Sequence, residues 1–296
     1  MRKLLNVLYV TSPDAYLAKD GENVLVLVGE ETKLRIPVHN LEGIVCFGYT
    51  GASPALMHLC TELSFHSESG RFLARVTGRV NGNVLLRRKQ YRIADVPEEA
   101  LQFAKGFIFG KIYNSRCVLQ RFLRDHGEKG DFQDIQEGVK FFSLQLQKVV
   151  NCSNAGVLRG LEGEAARTYY GVFHNLILEG KEDFKFNGRS RRPPLDPTNA
   201  LLSYLYTLLS HDCTSALETV GLDPQVGFLH RERPGRPSLA LDLMEELRPY
   251  LVDRLALSLI NNRQVDIKGF TTKESGGVIM SDEMRKNVIS SWQKRK

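Results

Sequence analysis

From residue 4 to about residue 92 the apolar positions come in short runs, β-branched or alternating with polar ones, as in Val24-Leu25-Val26-Leu27-Val28 and Phe72-Leu73-Ala74-Arg75-Val76. Runs of that kind, separated by Gly, Asn, Asp and Ser, predict strands. Asp20-Gly21 and Asn81-Gly82-Asn83 each sit between two such runs, which predicts hairpin turns, the second joining 75–80 to 84–86. Residues 54–60 predict one short helix within this β region. After Pro97 the period changes. Pro97-Glu98-Glu99 puts proline in a first helical turn with acids at the positive end of the dipole. The apolar spacing that follows predicts helices near 97–125, 132–151, 155–178, 197–210, 212–220 and 238–260. Beyond Lys268 the glycines 269, 276 and 277 and the basic Arg285-Lys286 and Lys294-Arg295-Lys296 predict a loosely ordered end. The expected fold class is multidomain α and β: an N-terminal β domain over 1–93, then a larger all-α C-terminal domain over 97–296.

Composition narrows the class. A chain of 296 residues, 42% of them apolar, with 25 Gly and 11 Pro, can bury a sizeable core and is neither a disordered tail nor a collagen nor a stapled mini-protein. Cys46, Cys60, Cys117, Cys152 and Cys213 are scattered singly, without a C-x-x-C pair, which argues against a zinc ribbon and a secreted disulfide framework. The first ten residues carry no evident signal peptide, and no run approaches the roughly 20 apolar residues that span a bilayer. A soluble cytoplasmic protein with no membrane partner is expected.

Lys and Arg number 40 against 34 Asp and Glu, a net charge of +6 that favours a polyanionic partner. The charge is concentrated. Residues 71–92 hold Arg71, Arg75, Arg79, Arg87, Arg88, Lys89 and Arg92 without one acid, and such a run repels itself unless the fold or a phosphate backbone supplies counter-charge. Arg189, Arg191 and Arg192 precede the stiff Pro193-Pro194-Leu195-Asp196-Pro197, in which Asp196 and Pro197 fit a helix cap and first turn. Arg231, Arg233 and Arg236 lie in a third basic loop. All three groups are candidate phosphate contacts.

Candidate chemistry lies in the helical part. The helix near 155–178 contains Gly160 and Gly163, each costing about 1 kcal/mol against alanine, so the space they leave suggests a close-approaching backbone or substrate. Leu158, Leu161, Ala165 and Val172 form its apolar stripe. Glu162 lies beside that stripe, where a carboxylate needs a partner: Arg159 or Arg167 in the plain reading, a metal in the functional one. Gln225-Val226-Gly227-Phe228-Leu229-His230 ends an apolar stretch on a histidine. Asp242 and Glu245 then project from one helical face among leucines and repel unless a cation stands beside them, in which case neither needs a raised pKa. Pro249 has no N–H for the carbonyl of Glu245, so the helix should kink or open there. Glu162, His230, Asp242 and Glu245 together would make an oxygen-rich site with one imidazole, suited to Mg²⁺ or Mn²⁺ rather than structural zinc. No H-E-x-x-H, Walker A or G-x-G-x-x-G motif occurs.

At these residues the chain resembles the universal CRISPR-associated adaptation integrase, a metal-dependent DNA endonuclease that inserts new spacers, and most closely its subtype I-C members. The resemblance runs over essentially the whole chain. It is carried by Leu-Tyr-Val-Thr-Ser-Pro-Asp-Ala-Tyr-Leu at 8–17, Gly-Leu-Glu-Gly-Glu-Ala-Ala at 160–166, Arg-Arg-Pro-Pro-Leu-Asp-Pro-Thr-Asn-Ala-Leu-Leu at 191–202, and Gln-Val-Gly-Phe-Leu-His followed by Leu-Asp-Leu-Met-Glu-Glu at 225–246, all in the family's order. It implies a metal held by Glu162, His230 and Glu245, with Asp242 as a further acidic position of the catalytic motif. It also implies a homodimer built through the β domains, branched or 3′-ended double-stranded DNA as substrate, and a small ferredoxin-like CRISPR-associated partner. The expected reaction is integration by transesterification. The alternatives are a general metal-dependent nuclease using water, and a non-enzymatic nucleic-acid-binding scaffold.

Overall fold

The computed structural model describes residues 7–59, 62–68, 70–77 and 83–296. The chain divides into two units, one made of residues 1–81 with 282–294 and the other of residues 82–281 with 295–296. The first carries strands β1 (Val7–Val10), β2 (Ala15–Asp20), β3 (Asn23–Val28), β4 (Glu31–Pro37), β5 (Gly43–Phe47) and β6 (Gly51–Ala52), helix α1 (Pro54–Leu59), and strands β7 (Glu62–His66) and β8 (Phe72–Thr77). These eight strands form two four-stranded sheets, ordered β4-β3-β2-β6 and β1-β5-β7-β8. Strand β5 lies between β1 and β7, parallel to both, and all five of its residues are buried. A strand covered on both faces reads as an unbroken apolar run, which is why Ile44-Val45-Cys46-Phe47 does not alternate. Strands β2 and β3 do alternate. Ala15, Leu17, Val24 and Val26 turn inward and join Val10, Ile44, Cys46, Leu56 and Leu63 in one core. Their hairpin pairs Asp20 with Asn23, and Gly21 takes φ +59° in the two-residue turn, the left-handed backbone that glycine adopts without strain.

The second unit contains α2 (Val84–Asp95), α3 (Pro97–His126), α4 (Gln133–Val150), α5 (Ala155–Val172), α6 (Pro197–Thr219), α7 (Ser238–Leu247), a π-helical stretch (Arg248–Asp253), α8 (Arg254–Asn261) and the two-stranded β9 (Phe270–Thr272) and β10 (Val278–Met280). The last helix, α9 (Asp282–Arg295), lies in the first unit up to residue 294. Helix α3 is the spine of the second unit, packing on α4, α5, α7 and the π-helical stretch. Its buried positions Ala104, Ile108, Lys111, Ile112, Ser115, Leu119 and Phe122 recur at three- and four-residue spacing. One of them is a lysine. No helix among the described residues is long and apolar enough to cross a membrane.

The β-then-α class, the helix start at Pro97 with Glu98 and Glu99 in its first turn, and the capped start at Asp196 are as expected; Asp196 accepts from the Asn199 amide with Pro197 at the first helical position. The opening at Pro249 is present as the π-helical stretch, whose ring nitrogen has no hydrogen to close the regular ladder. Four expectations need correction. Residues 84–86 are not a strand: the Asn83 side chain accepts from the amides of Leu85 and Leu86 and caps α2, so the boundary expected at 93–97 falls at 81/82. The turn residues Asn81-Gly82, together with Arg79 and Cys60, lie outside the described residues. Helices expected at 197–210 and 212–220 are one helix, because Leu205, Leu208, Leu209, Cys213 and Leu217 keep a single buried stripe through 210–212. The end beyond Lys268 is ordered: β10 docks on α6, the Val278 amide donates to the Pro194 carbonyl, and Trp292 of α9 is 1% exposed.

Candidate active site

Helix α7 supplies Asp242 and Glu245, α5 supplies Glu162, and the loop entering α7 supplies His230. The loop is shaped around Asp242, which is fully buried. Its Oδ2 accepts from the backbone amides of Phe228 (2.6 Å) and Leu229 (2.9 Å), and Oδ1 from the amide of His230 (3.0 Å) and from His230 Nδ1 (2.6 Å). Gly227 makes this wrap sterically feasible, since a Cβ there would stand 2.7 Å from Asp242 Oδ2 and 2.8 Å from the Ser238 carbonyl carbon. Upstream, the buried Gln90 of α2 donates to the carbonyls of Asp223 and Val226 and accepts from the Asp223 amide, and Phe228 stacks on Phe103 of α3. With Nδ1–H committed to Asp242, the imidazole keeps its Nε2 lone pair, and Nε2 lies 4.0 Å from Glu245 Oε1.

Glu245 is 3% exposed and meets two cations. Lys111 Nζ lies 2.6 Å from its Oε2, and Arg248 Nη1 lies 3.1 Å from its Oε1. Burial works to raise the Glu245 pKa, but the Lys111 and Arg248 charges outweigh it and bring the carboxyl down to about 2. The cation that the Asp242–Glu245 spacing called for is therefore protein. Glu162 also bonds Lys111, not Arg159 or Arg167, so one ammonium bridges carboxylates from α5 and α7. Lys111 in turn stays charged: burial acts against it, while Glu245 and Glu162 hold its pKa above the ordinary value. Gly110 lets α3 approach α7, because a Cβ there would meet Glu246 Cβ at 2.8 Å, and Asn114 Nδ2 bonds the Glu246 carbonyl at 2.7 Å.

The sequence alone does not single out Lys111 and Arg248. A signal for Lys111 exists: a lysine three residues after Ile108 and four before Ser115, on the buried stripe of α3. Gly160 and Gly163 are exposed with nothing within 4 Å of an added Cβ, so no part of the described fold takes the space expected to need them.

Among the described residues, no three His, Cys, Asp or Glu side chains are gathered into a ready metal cage. The donor set nevertheless fits a hard divalent cation: two carboxylates, one oriented imidazole, and a buried Glu245 Oε2 that has an ion pair but no well-formed hydrogen bond. Asp242 fits less well as a ligand, with four donors already on its two oxygens.

The basic candidates divide. Arg189 is half-buried and engaged by the fold, donating to the Ser190 carbonyl, to Asn199 Oδ1 (2.6 Å) and to Ser203 Oγ (3.0 Å), with its guanidinium over the Tyr206 ring. Arg191, Arg192, Arg231, Arg233, Arg88 and Lys89 are exposed, while Arg87 and Arg236 are half-buried. Arg75 of the 71–92 run pairs with Glu62 at 3.8 Å. An open cavity of about 960 Å³ runs along α5 and is lined by Arg167, Tyr170, Lys181, Lys185, Phe186 and Arg191 among others. Ala166 and Tyr170 line both this cavity and a small void that Lys111 and Arg248 also border.

The model of the CRISPR associated protein Cas1 family matches residues 8–294. A CRISPR-associated endonuclease Cas1 of Rhodospirillum rubrum is 54% identical over 100% of this chain and 88% of its own length. Among solved structures, a Cas1 protein from Thermotoga maritima superposes with a TM-score of 0.83 at 25% identity, covering 98% of this chain and 90% of its own. A casposase bound to integration product gives the same TM-score and identity over 98% of this chain and 82% of its own. A chain of a partial Cas6-RT-Cas1–Cas2 complex gives 0.65 at 25% identity over 98% and 88%. A β unit followed by a helical unit that converges two glutamates and a carboxylate-held histidine defines a candidate phosphodiester-processing enzyme. The chain belongs to the Cas1 family of CRISPR-associated endonucleases.

Proposed function

We propose that this protein is a metal-dependent DNA endonuclease and integrase that inserts short DNA segments into a CRISPR array by transesterification. The observation that carries the reading is the convergence of Glu162, His230 Nε2 and Glu245, with Asp242 holding the imidazole by its other nitrogen. Mg²⁺ or Mn²⁺ held by these three residues would polarise the scissile phosphoryl group and steady the leaving oxygen. Asp242 fixes tautomer and ring plane and is a positioning residue. Arg248 neutralises Glu245 from the side away from Lys111's oxygen. The 3′ hydroxyl of the incoming strand forms the new bond to phosphorus, and the bond to the leaving 3′ oxygen breaks.

Phosphate binding by Arg191, Arg192, Arg231, Arg233, Arg88 and Lys89, with the cationic and aromatic cavity along α5 as a strand track, supplies the DNA contacts. Arg189, Arg87 and Arg236 contribute less, being partly enclosed by the fold. The structural relatives bound to an integration product and to Cas2 support double-stranded DNA and a Cas2-type small partner, for which a ferredoxin-like fold, a homodimer through the β unit, affinity to subtype I-C and a cytoplasmic setting complete the reading.

The test is incubation of the purified protein with branched DNA carrying a labelled 3′-ended strand, with and without Mn²⁺. Joined strands that require Mn²⁺ and vanish in His230→Ala support integration. Metal-dependent cleavage with no joined product would favour the hydrolytic nuclease, and binding without either would leave only the scaffold.

A further inference from the structure

A buried lysine on the apolar stripe of α3 is costly unless anions face it, and two do. Both belong to the set read above as metal ligands. The ammonium stands between Glu162 of α5 and Glu245 of α7, with no acid of α3 itself at the site. We propose that Lys111 Nζ occupies the cation position of this site in the free protein, so that metal loading is an exchange of one cation for another. The inference rests on the metal-site reading and adds to it a residue that sets the site's affinity.

The geometry leaves little room for both cations. An ammonium and a dication in contact with the same two carboxylates would lie within a few ångströms of each other, about 4 Å by the size of such contacts, where like charges in a dry site repel strongly. The backbone cannot relieve this, because Gly110 already brings α3 against Glu246 Cβ and Asn114 ties α3 to the Glu246 carbonyl. Of the two cations on Glu245, Arg248 is held over the Tyr206 ring, and the flexible Lys111 side chain is the one that yields. Its neighbours Ser115, Tyr169 and Tyr170 border a void of about 10 Å³, roughly one water, which does not hold a displaced ammonium in a new pocket. A displaced ammonium therefore turns toward whatever anion next enters the site, and a DNA phosphate is one.

The experiment is calorimetric titration of Mn²⁺ into the full chain as wild type, Lys111→Met and Lys111→Arg, with circular dichroism to check folding and thermal melts with and without Mn²⁺. Lys111→Met removes the competing charge at similar length and should bind Mn²⁺ about tenfold tighter or more, as losing one nearby like charge predicts. Its metal-free melting temperature should fall and its rise on adding Mn²⁺ should exceed that of wild type. Lys111→Arg should bind as weakly as wild type. Equal or weaker Mn²⁺ binding by a folded Lys111→Met overturns the inference while leaving the metal site standing. No Mn²⁺ bound by any of the three proteins overturns both. If Lys111→Met fails to fold, wild-type crystals soaked in Mn²⁺ decide: Lys111 Nζ displaced from at least one of the two glutamates supports the exchange, and an ammonium still bridging both beside the metal overturns it.

Discussion

His230 Nδ1 lies 2.6 Å from Asp242 Oδ1, and the same carboxylate accepts three successive backbone amides from the loop that carries the histidine. One buried side chain thus folds the loop and selects which imidazole nitrogen stays free. Asp242→Asn replaces one of the accepting oxygens with an NH₂ facing N–H donors. It should cost about 2–4 kcal/mol of stability, measured by urea unfolding, through buried donors left unpaired. Glu245→Gln, which leaves that cradle intact, should weaken Mn²⁺ binding more than Asp242→Asn does. The reverse order of metal affinities would make Asp242 the ligand.

Gly227→Ala tests the cradle from the backbone side. An added methyl would stand 2.8 Å from the Ser238 carbonyl carbon, an atom of the α7 start that cannot swing aside. A loss of about 1–3 kcal/mol in denaturant unfolding is expected, with metal affinity falling in step. Wild-type stability in this variant would mean the loop has slack that the structure does not show.

Much of this site is legible in the sequence because its carboxylates and histidine sit in short local patterns. Asp242 and Glu245 share a helical face, His230 ends an apolar run, and Pro249 announces the opened helix that follows. What escaped was non-local. Lys111 is 51 residues from Glu162, and spacing cannot say which anion a stripe lysine meets. The same holds for Arg189, which reads as a member of a basic cluster until Asn199 and Ser203 of α6 are seen to claim its guanidinium. The strand expected at 84–86 gives way to a helix because the Asn83 side chain, which suits a turn, also serves as a helix cap. The ordered β10 at 278–280 is not legible because glycines and charges say nothing of docking onto α6.

Arg191 and Arg192 together, changed to Ala, should weaken binding to DNA of any sequence and lower the slope of log K against log salt by about 2, one counterion for each lost phosphate contact. Arg189→Ala should instead lower the melting temperature with little change in slope. A slope untouched by the double variant would move the DNA track to Arg88, Lys89 and the 231–233 loop.

Asp253, fully buried beneath Tyr206 and Tyr169, gives a prediction in pH. Burial pushes its carboxyl up to about 6, against the opposing pull of the Tyr206 hydroxyl and Arg248. An acid whose folded pKa exceeds its unfolded one binds its proton more tightly when folded. Its favourable contribution is therefore full below about pH 4 and is lost as pH rises to about 6. Asp253→Asn, which still accepts from Tyr206, removes that titration. Between pH 4 and pH 7 the variant should gain on the order of 3 kcal/mol relative to wild type in urea unfolding. Parallel stability curves would show the carboxyl ionised throughout.

The central claim is that Glu162, His230 and Glu245 hold one divalent metal. Anomalous diffraction from a crystal soaked in Mn²⁺ tests it most directly. The account predicts a peak within about 2.0–2.6 Å of a Glu162 oxygen, His230 Nε2 and a Glu245 oxygen, with His230 Nδ1 still on Asp242. A peak bound to Asp242 with Glu245 left on Lys111 would contradict it.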